Sequence, residues 1–497
     1  MNRLPDTIRR IAETERYRRF PVSKELFADS FTPVEVMRTL RAASRHCYLL
    51  ESAEDRQRWG RYSFLGYAPT MEITCENGLV TVQMGKEEEE KTRKVFTTDH
   101  PGTILRQVLH DYKTPVLEGL PPFTGGLVGY FSYDYIKYGE PSIRNCLETT
   151  GGDFRDMDLM LFDRVIVFDH FRQKLLLITG MKLHGALEDN YEAALGELDE
   201  MTRLLQSGAK ADFRPLLLEE DFTPRTSKED YCQMVEQAKS AIREGEIFQV
   251  VLSNPMTARA KGSLFDTYRA LRTSNPSPYM FYFSSDDIEV AGASPETLAR
   301  LEDGRIFTFP LAGTRPRGAT PEEDELLARQ LLADEKELAE HNMLVDLGRN
   351  DIGKISVPGT IQVEKYLGIE RFSHVMHIGS TVSGQIDPKK DSVDAIDAIL
   401  PAGTLSGAPK IRACQIIADL EESKRGIYGG AVGYLDFTGN MDTCISIRLA
   451  YKKNGRVCIQ SGAGIVADSI PEQEFEECQN KATAVIQAVK LAEGGLE

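Results

Sequence analysis

The chain has 497 residues, of which 41% are hydrophobic and 27% are charged, and its formal net charge is −17. This length exceeds what one hydrophobic core usually organises, so two domains or one unusually large domain are expected. The negative charge argues against general binding to nucleic acid or to anionic membranes. No apolar run approaches the roughly 18–20 residues of a membrane-spanning helix.

The cellular compartment can be predicted from the N-terminal segment and the cysteines. The N-terminal segment is rich in arginine, but acidic residues interrupt it and it lacks an apolar signal core. A cytoplasmic protein is therefore expected. The eight cysteines are scattered and form no Cys-x-x-Cys pair, which favours reduced structural thiols over a disulfide framework or a zinc site.

In chain order, the N-terminal part is predicted to be helical and then rich in strands. Residues 1–45 are expected to form charged helices, and strand-like runs follow from Tyr48, with Asn77-Gly78 as a hairpin turn. The run TGGLVGYFSYD (124–134) alternates glycine with aromatic and aliphatic residues. Because no Gly-Lys-Ser/Thr follows it, close strand packing is a better interpretation than a phosphate loop.

A linker is predicted at residues 206–226, where Ser, Gly, Lys and Pro precede an acidic run without periodicity. It divides the chain into an N-terminal region (1–205) and a second domain (227–497). Local signals predict two helix starts and two hairpin turns, at Ser227, Thr320, Asp303-Gly304 and Asn454-Gly455. Long antiparallel hairpins with helices in blocks indicate an α+β protein.

Paired glutamates at helical spacing occur in two predicted helices, Glu337 with Glu340 and Glu474 with Glu477. Side chains three residues apart lie on one face of a helix, and Mg²⁺ prefers one or two carboxylates completed by water and substrate oxygens. One glutamate from each helix would suit a magnesium-assisted site for an anionic small molecule. A solvated charged helix face is the alternative, because glutamate is common on helix surfaces.

The second of these helices follows a segment that is suited to binding an anion. Ser461–Gly464 is expected to form a small-residue loop that exposes backbone amides. Ser469 and Glu472 have the spacing of a capping box, and Pro471 suits a first helical turn. Lys481 shares the helix face of the paired glutamates and adds a positive charge.

Four further residues can carry chemistry but can also be structural. Glu296 follows a proline at a predicted strand turn, and His377 lies in an apolar strand, where a histidine is more often structural than catalytic. Arg448 lies within a predicted strand, so its charge needs a partner or a ligand such as a carboxylate. Thr404 lies in a glycine-containing segment that leads into a helix, a geometry that favours anions.

Ordered motifs along residues 229–490 resemble those of the chorismate-utilising enzyme family. They are GASPETL, PLAGTRPRG, EHNMLVDLGRNDIG, HVMHIGSTVSG, LPAGTLSGAPK, RGIYGGAVGY and SGAGIVADSIPEQEFEECQNK. In the N-terminal half, LLES, GRYSFLGY and TGGLVGYFSYD are similar to the anthranilate-forming members of that family. The resemblance implies large antiparallel β-sheets packed as a sandwich, with helices on the outside.

The resemblance also implies roles for the residues at matching positions. Glu296 would be the general acid that protonates the departing 4-hydroxyl group of chorismate while ammonia attacks C2, and His377 would serve the later loss of pyruvate. The Mg²⁺ ligands would be Glu340 and Glu477, with Glu337 and Glu474 in support. The chorismate contacts would be Gly313, Thr314, Thr404, Tyr428, Arg448, Gly462, Ala463, Gly464 and Lys481.

Two positions distinguish the members of this family. Isochorismate and salicylate synthases carry a lysine base where this chain has Gln249, and aminodeoxychorismate synthases carry a nucleophilic lysine where it has Ala312. An alanine cannot be a nucleophile, and without the base a water nucleophile is disfavoured. Both departures favour ammonia, with anthranilate and pyruvate as products, which is the first committed step of tryptophan biosynthesis. An aminodeoxychorismate synthase is the rival enzyme, and Ala312 opposes it.

A partner and an effector are also implied by the resemblance. The chain contains no glutamine-amidotransferase elbow, so a separate glutaminase subunit would supply the ammonia, in a heterotetramer. LLES and NPSPYM resemble the family's feedback site for tryptophan, whose contacts would be Ser52, Pro278, Tyr279 and Met280, with Glu51 and Asn275 nearby. Region 1–205 would then carry part of the regulatory site and 227–497 the catalytic site. A plain packed core is the alternative there, and it predicts no effector response.

A non-catalytic function is the remaining rival. A tryptophan-sensing protein with a decayed active site would share these motifs only in part, because decay removes functional side chains. This chain retains every acid, metal ligand and substrate contact that the resemblance implies, and that retention opposes the sensor hypothesis.

Overall fold

A computed structural model of the chain describes residues 4–53, 59–85, 92–148, 154–372 and 375–496. Its helices, in chain order, are α1 (Asp6–Glu13), α2 (Pro33–Ala43), α3 (Gly102–Asp111), α4 (Ile136–Gly139), α5 (Arg144–Glu148), α6 (Leu187–Gln206), α7 (Lys228–Arg243), α8 (Phe265–Ser274), α9 (Pro321–Leu332), α10 (Glu335–Gly353), α11 (Ser392–Ile399), α12 (Lys410–Glu421) and α13 (Pro471–Ala492). Among the described residues, no helix combines the length and apolarity needed to cross a lipid bilayer.

The strands alternate with these helices in blocks. In chain order they are β1 (Arg19–Phe27), β2 (Cys47–Glu51), β3 (Tyr62–Tyr67), β4 (Met71–Glu76), β5 (Leu79–Met84), β6 (Thr92–Thr97), β7 (Gly126–Phe131), β8 (Met157–Phe162), β9 (Arg164–Asp169), β10 (Lys174–Lys182), β11 (Leu217–Leu218), β12 (Thr223–Pro224), β13 (Gln249–Lys261), β14 (Tyr279–Ser284), β15 (Ile288–Ser294), β16 (Thr297–Glu302), β17 (Arg305–Thr308), β18 (Leu311–Pro316), β19 (Gln362–Arg371), β20 (Val375–Gln385), β21 (Gly407–Ala408), β22 (Ala431–Asp436), β23 (Met441–Ile445), β24 (Leu449–Lys453) and β25 (Arg456–Ile465).

Two large antiparallel sheets contain all of these strands. The first has the order β1-β10-β9-β3-β2-β14-β15-β24-β25-β13-β11, with β12 and β21 also paired to β13. The second has the order β18-β20-β17-β16-β23-β22-β7-β8-β4-β5-β6, with β19 paired to β20. The predicted α+β class with large antiparallel sheets is confirmed.

The two sheets pack face to face through an aromatic core. Tyr48 of the first sheet meets Phe162 of the second with ring centroids 4.7 Å apart and an edge-to-face angle of 69°. Phe281 of the first sheet and Tyr130 of the second belong to the same buried cluster. Aromatic pairs of this geometry add to the stabilisation that burial of apolar area provides.

Helices cover the outer faces of the sandwich. Buried side chains of α2, α6, α8 and α13 form one core cluster on the first sheet, and those of α3, α10 and α11 form another on the second. Because α10 lies on the second sheet and α13 on the first, the two helices are anchored on different layers. This arrangement allows a site to form where the layers meet.

Both sheets contain strands from either side of the predicted linker. In the first sheet β2 pairs with β14, and in the second β7 pairs with β22. Within the linker itself, β11 and β12 pair with β13. Both sheets therefore combine strands from before and after residues 206–226. The division of the chain into a regulatory and a catalytic region at that segment stays a prediction.

Local sequence signals are confirmed where a turn or a close contact dictates the residue. Asn77-Gly78, Asp303-Gly304 and Asn454-Gly455 have positive φ at both residues, as two-residue hairpin turns require. A Cβ atom at Gly129 would lie 2.0 Å from the Asp158 carbonyl oxygen, so the predicted close strand packing is also confirmed. The prediction that residues 1–45 are helical is wrong in part, because β1 pairs along its whole length with β10.

Candidate active site

Helix α10 begins with a side-chain cap that places its glutamates. The Asp334 carboxylate accepts hydrogen bonds from the backbone N–H groups of Lys336 and Glu337, at 3.1 and 3.3 Å. Such a cap satisfies N–H groups that a helix leaves unpaired at its start. Glu337 and Glu340 therefore lie in the first two turns of α10.

The start of α13 differs from the sequence prediction. The helix begins at Pro471, its N-cap residue is Ile470, and no side-chain hydrogen bond caps it. Ser469, the predicted cap, instead accepts the backbone N–H of Val466 at 3.0 Å and hydrogen-bonds the Glu474 carboxylate. The capping-box prediction is therefore wrong, because the serine hydroxyl closes the turn before the helix.

The small residues before α13 belong to a strand, and the predicted loop is wrong. Gly462 lies in β25 opposite Ser253 of β13. A Cβ atom at Gly462 would lie 2.6 Å from the Leu252 carbonyl oxygen and 3.0 Å from the Tyr428 hydroxyl oxygen. Glycine is needed because a backbone and a tyrosine approach it closely, so small residues here reflect packing in a sheet.

These elements surround a cavity of about 380 Å³, which we call the polar cavity. Most of the predicted site residues line it: Glu296, Glu340, Thr404, Tyr428, Arg448, Gly462, Gly464, Glu474, Glu477 and Lys481. Gln249, at the position where the resemblance implies a lysine base in isochorismate and salicylate synthases, lines it as well. A cavity of this size with convergent polar groups suits a small-molecule ligand.

Two glutamates on the polar cavity, Glu340 and Glu474, have raised pKa values. Burial is the main cause that raises the pKa of Glu340, and the neighbouring Glu337 and Glu477 carboxylates raise it further. Burial and Glu477 also raise the pKa of Glu474. Closely spaced carboxylates whose charge is poorly solvated form a binding site for a cation.

Lys481 joins this acidic group to the strand below it. Its Nζ atom lies 2.6 Å from Glu477 Oε1 and donates to the Gly462 carbonyl oxygen at 3.2 Å. The pair spans i and i+4 of α13, as the sequence spacing predicts. The ammonium group therefore lies between the carboxylates and the floor of the polar cavity.

Arg448 lies in a break between β23 and β24, so its predicted place within a strand is wrong. Its φ of 53° is in the left-handed region, which interrupts the ladder and costs energy for a residue other than glycine. Its Nη1 atom donates to the Lys481 carbonyl oxygen at 3.4 Å. Burial lowers the pKa of this guanidinium, and the Glu296 carboxylate raises it. A strained cation that faces a cavity is a candidate contact for an anionic ligand.

Glu296 faces the polar cavity from the end of β15. Its Oε2 atom accepts the Thr404 hydroxyl at 3.2 Å, and its carbonyl oxygen accepts the backbone N–H of Ile445 at 2.9 Å. Burial raises the pKa of the Glu296 carboxyl, while Thr404, Lys481 and Arg448 lower it. A general acid must hold its proton near neutral pH, and burial moves the pKa in that direction.

His377 lies in β20 and is not among the residues that line the polar cavity. Its Nδ1 atom is 2.8 Å from the Gly313 carbonyl oxygen and 3.2 Å from the Thr314 hydroxyl. A carbonyl only accepts, so Nδ1 carries the proton and Nε2 of the neutral ring has a lone pair. Because burial lowers the pKa of His377, the ring stays neutral at physiological pH and can act as a base.

Other predicted residues also lie outside the cavity lining, among the residues that the structure describes: Gly313, Thr314, Glu337 and Ala463. Gly313 has a φ of 65° and packs against Glu337, whose Oε2 atom would lie 3.1 Å from a Cβ there. The Ala463 side chain packs into the core on the opposite face of β25. Successive residues of a strand face opposite sides, so only the backbone of Ala463 is available to a ligand.

Two polar lining residues were missed by the sequence predictions, Lys336 and Gln460, whereas Ser461 lies in the segment that was predicted to accept an anion. Lys336 lies four residues before Glu340 on α10, and that spacing could have revealed it. Its charge lowers the pKa of Glu340 and of Glu474. No sequence signal marks Gln460, because its role depends on the pairing of β25 with β13.

The donor groups on the polar cavity fit Mg²⁺. Carboxylates of α10 and α13 face one another there, and oxygen ligands are those that this hard cation prefers. No group of three or more His, Cys, Asp or Glu side chains at metal-binding distance occurs in the described ranges. Two carboxylates with positions left for water and substrate oxygens match the way Mg²⁺ is usually held.

A second cavity, of about 420 Å³, lies between the two sheets, and we call it the inter-sheet cavity. Five of the six residues predicted for the effector site line it: Glu51, Ser52, Pro278, Tyr279 and Met280. Asn275, at the end of α8, is not among the lining residues. The Glu51 carboxylate accepts Arg272 Nε at 2.8 Å, and this ion pair lies on the helix-covered face of the sheet.

Charged and aromatic groups are combined in the inter-sheet cavity. Arg300 and Asp442 contribute opposite charges, and Tyr62 and Tyr434 contribute rings. The Tyr279 hydroxyl donates to Asp442 Oδ1 at 2.8 Å, and burial raises the pKa of the Asp442 carboxyl to about 6. This combination can accommodate the ammonium, carboxylate and ring of an aromatic amino acid.

Comparison with known proteins identifies the class of fold and site. Residues 45–487 match the family described as chorismate binding enzyme. A crystal structure of anthranilate synthase component I from Streptococcus pneumoniae TIGR4 superposes with a TM-score of 0.73 at 39% identity, covering 86% of this chain and 92% of that one. The menaquinone-specific isochorismate synthase of Escherichia coli, at 20% identity and a TM-score of 0.68, covers 97% of this chain and 98% of its own and shares the fold.

Full-length relatives give a finer comparison. Anthranilate synthase component 1 of Acetivibrio thermocellus is 44% identical over 483 residues, which is 96% of each chain. The protein of the same name from Aquifex aeolicus is 42% identical over 490 residues, which is 97% of each chain. The chain therefore belongs to the chorismate-binding enzyme family, and the resemblance drawn from its motifs is confirmed.

Proposed function

We propose that the protein converts chorismate and ammonia into anthranilate and pyruvate, in the first committed step of tryptophan biosynthesis in the cytoplasm. The observation that carries this proposal is the placement of Glu296 on the polar cavity, opposite the carboxylates of α10 and α13. Ammonia is supported as the nucleophile because this chain has Gln249 and Ala312 at the two positions where the resemblance implies a lysine in other family members. Relatives named anthranilate synthase component 1 match over nearly the whole chain.

Chorismate is a dianion, and the cations of the polar cavity would bind it. Arg448 and Lys481 supply positive charge on one side, and the backbone of Gly462 and Gly464 lets the ligand approach the sheet closely. The Tyr428 hydroxyl adds a hydrogen-bonding group at the same wall. Because these groups are fixed by β25 and α13, the substrate would be held in one orientation, which lowers the entropic part of the barrier.

The chemistry would begin at Glu296. Its carboxyl gives a proton to the 4-hydroxyl group, which leaves as water while ammonia forms a bond to C2. Hydroxide is a poor leaving group, so this proton is needed. His377 would then take the proton from C2 through Nε2 while the bond from C3 to the enolpyruvyl oxygen breaks, which completes the aromatic ring. The released enolpyruvate takes up a proton at its methylene carbon and becomes pyruvate.

Bound Mg²⁺ would supply positive charge at the ring carboxylate of chorismate. Glu340 and Glu477 would be its ligands, with Glu337 and Glu474 in support. The raised pKa of Glu340 supports this assignment, because burial and the neighbouring Glu337 and Glu477 carboxylates disfavour its charge unless a cation is bound. Lys481, which is paired to Glu477, would share that carboxylate with the metal.

The ammonia would come from a separate glutaminase subunit. The component 1 name of the relatives implies a second component, and this chain has no glutamine-amidotransferase elbow of its own. A heterotetramer of two such pairs is the assembly we propose. Free ammonium at alkaline pH would then replace the partner in the test tube.

We further propose that tryptophan binds in the inter-sheet cavity and inhibits the enzyme. Ser52, Pro278, Tyr279 and Met280 line that cavity, as the family resemblance implies. Asp442 and Arg300 add the charges that an amino acid requires there. Effector and substrate would thus occupy different sites, so inhibition would be allosteric.

Product analysis tests the activity directly. Purified protein would be incubated with chorismate, Mg²⁺ and ammonium at mildly alkaline pH, and the product would be measured by fluorescence and mass. Anthranilate whose formation tryptophan suppresses is the expected result. Isochorismate or aminodeoxychorismate as the product would refute the argument from Gln249 and Ala312. No turnover, while control enzymes are active, would favour the hypothesis of a tryptophan-sensing protein with a decayed active site.

A further inference from the structure

Arg425 is one of the largest side chains that the fold buries completely, with 2% of the residue exposed. Its guanidinium donates to the carbonyl oxygens of Leu405 and Val251, each at 2.6 Å. Both of these residues line the polar cavity, and Arg425 lies behind them. A buried charge is costly unless it is fully paired, so this placement needs a physical reason.

Glu421 completes the pairing of Arg425. Arg425 Nε donates to Glu421 Oε2 at 2.8 Å, and Nη2 donates to Oε1 at 2.5 Å. Glu421 Oε1 also accepts the backbone N–H and the hydroxyl of Ser253, at 2.7 and 3.0 Å. Gln460, in the lining of the polar cavity, donates to the same hydroxyl at 2.8 Å. The ion pair therefore connects α12 with β13 and β25.

The backbone that Arg425 holds carries Thr404. Leu405 is the last residue of the short turn Gly403–Leu405, and the Val251 N–H donates to the Ser406 carbonyl oxygen at 2.9 Å. Arg425 thus fixes two carbonyls of one connected backbone unit. The Thr404 hydroxyl, one residue away, donates to the Glu296 carboxylate at 3.2 Å.

We propose that Arg425, paired with Glu421, is a positioning residue: it fixes the turn at 403–405 so that the Thr404 hydroxyl holds the Glu296 carboxyl in the geometry for proton transfer. Arg425 itself contacts no reacting atom. The inference rests on the proposed role of Glu296 as the general acid. Proton transfer requires precise placement, and a displacement of about 1 Å far from the chemistry can cost about 10²-fold in rate.

The variant Arg425→Lys tests this proposal, because lysine keeps the charge but lacks the planar fork that reaches two carbonyls and a carboxylate. We expect kcat to fall about 10-fold or more while KM changes little. The basic limb of the kcat profile should move to higher pH, since the Thr404 bond lowers the pKa of Glu296. Lys481 and Arg448, the charged groups that also lower this pKa, remain in place. If the variant does not fold, Glu421→Gln weakens the same pairing more gently and should change kcat in the same direction.

A double-mutant cycle with Thr404→Val shows whether Arg425 acts through Thr404. In the Thr404→Val background, Arg425→Lys should lower kcat by less than about 3-fold. An equal loss in both backgrounds, or a folded Arg425→Lys enzyme with wild-type kcat and pH profile, would overturn the proposal. Retained activity in Glu296→Gln would instead remove the acid role itself, so the two failures can be told apart.

The buried pair of Lys137 and Asp156 provides a matched control. Lys137 Nζ lies 2.9 Å from Asp156 Oδ1, and both side chains are at most 2% exposed. Lys137→Met should lower the thermal midpoint as Arg425→Lys does, without moving the kcat pH profile. A similar loss of kcat and the same pH shift in Lys137→Met would mean that general destabilisation explains both, and would contradict a positioning role.

Discussion

The two cavities of this protein differ in the elements that form them. The inter-sheet cavity lies between two sheets whose strands come from both halves of the chain. The polar cavity lies where β13 and β25 meet two helices that are anchored on different sheets. The first is lined by aromatic rings, prolines and six charged side chains of both signs, and the second by several carboxylates and cations with few rings.

Under the proposed function, this difference separates the binding of an effector from catalysis. Polar groups of the inter-sheet cavity already hydrogen-bond one another, as Tyr279 does with Asp442, and such a site suits recognition of a preformed ligand. In the polar cavity, burial and neighbouring carboxylates raise the pKa values of Glu340 and Glu474, which suits cation binding and proton transfer. Glu296 lines the polar cavity, and the next residue, Thr297, contacts Tyr279 of the inter-sheet cavity at 2.9 Å. This segment therefore connects the two cavities.

The largest expected effect is that of Glu296→Gln. Glutamine preserves the size of the side chain and can accept from Thr404, but it cannot give a proton to the leaving hydroxyl group. We expect kcat to fall by about 10²- to 10⁴-fold, measured by anthranilate fluorescence. Tryptophan binding, measured by calorimetry, should be unchanged. A variant within a few-fold of wild-type kcat would show that another group is the acid.

Loss of a proposed metal ligand comes next. Glu340→Gln removes one charge from the group of carboxylates and should weaken Mg²⁺ binding at least as much as the roughly 10- to 100-fold that loss of a supporting group costs. Titration calorimetry without substrate measures this directly, and turnover should be lost in parallel. Glu335→Gln, on the exposed side of α10, is the matched control and should bind Mg²⁺ normally. Equal Mg²⁺ affinity in both variants would refute the assignment.

Much of this site could be predicted because ordered motifs resemble those of a known family and because paired glutamates recur at helical spacing. The small residues before α13 were also placed at the site, although they form a strand and not the predicted loop. The residues that were missed or misplaced depend on pairing between distant segments. Gln460 lines the polar cavity because β25 pairs with β13. Ser469 does not cap α13 because its hydroxyl accepts the backbone N–H of Val466 instead.

The fold shows the same limit. Hairpin turns such as Asp303-Gly304 are dictated by local backbone conformation and were predicted correctly. Strand β1 was missed because its partner, β10, lies more than 100 residues away in the sequence, and a charged, partly exposed edge strand has weak periodicity. Strand pairs whose members are far apart in the sequence cannot be predicted from local residue spacing alone.

In the inter-sheet cavity, Ser52→Phe should have the largest effect. The ring would occupy space that the effector needs, and overpacking of this kind costs about 1–3 kcal/mol, or about 5- to 150-fold in tryptophan affinity. The inhibition constant measures it, with kcat in the absence of tryptophan as the control, because Ser52 is remote from the polar cavity. Unchanged inhibition would mean that the effector binds elsewhere.

The pH dependence of tryptophan binding tests whether Asp442 is the charged group that binds the ammonium group of tryptophan in the inter-sheet cavity. Burial raises the pKa of Asp442 to about 6, while Arg300 and Tyr279 oppose this rise. If the carboxylate pairs with the ammonium group of tryptophan, protonation below pH 6 removes the partner. The dissociation constant should therefore rise as pH falls through about 6, by about 10-fold at pH 5 relative to pH 8. Asp442→Asn should bind weakly at every pH, and a wild-type profile in that variant would contradict the pairing.

The smallest expected effect, and the sharpest test of how the two cavities differ, is that of Tyr279→Phe. This change removes one hydroxyl, which contacts Asp442 in the inter-sheet cavity and Thr297 beside Glu296. Loss of such hydrogen bonds costs about 1 kcal/mol, so we expect inhibition by tryptophan to weaken about 5-fold.

Tyr282→Phe on the same strand is its matched control, because the Tyr282 hydroxyl donates to Glu289 at 2.6 Å, away from either cavity. Both variants should lose similar thermal stability, but only Tyr279→Phe should weaken inhibition. If tryptophan still binds to Tyr279→Phe with wild-type affinity and yet inhibits less, the hydroxyl transmits the effect to Glu296. If affinity and inhibition fall together, the hydroxyl serves only the binding of the effector and does not transmit the effect to Glu296.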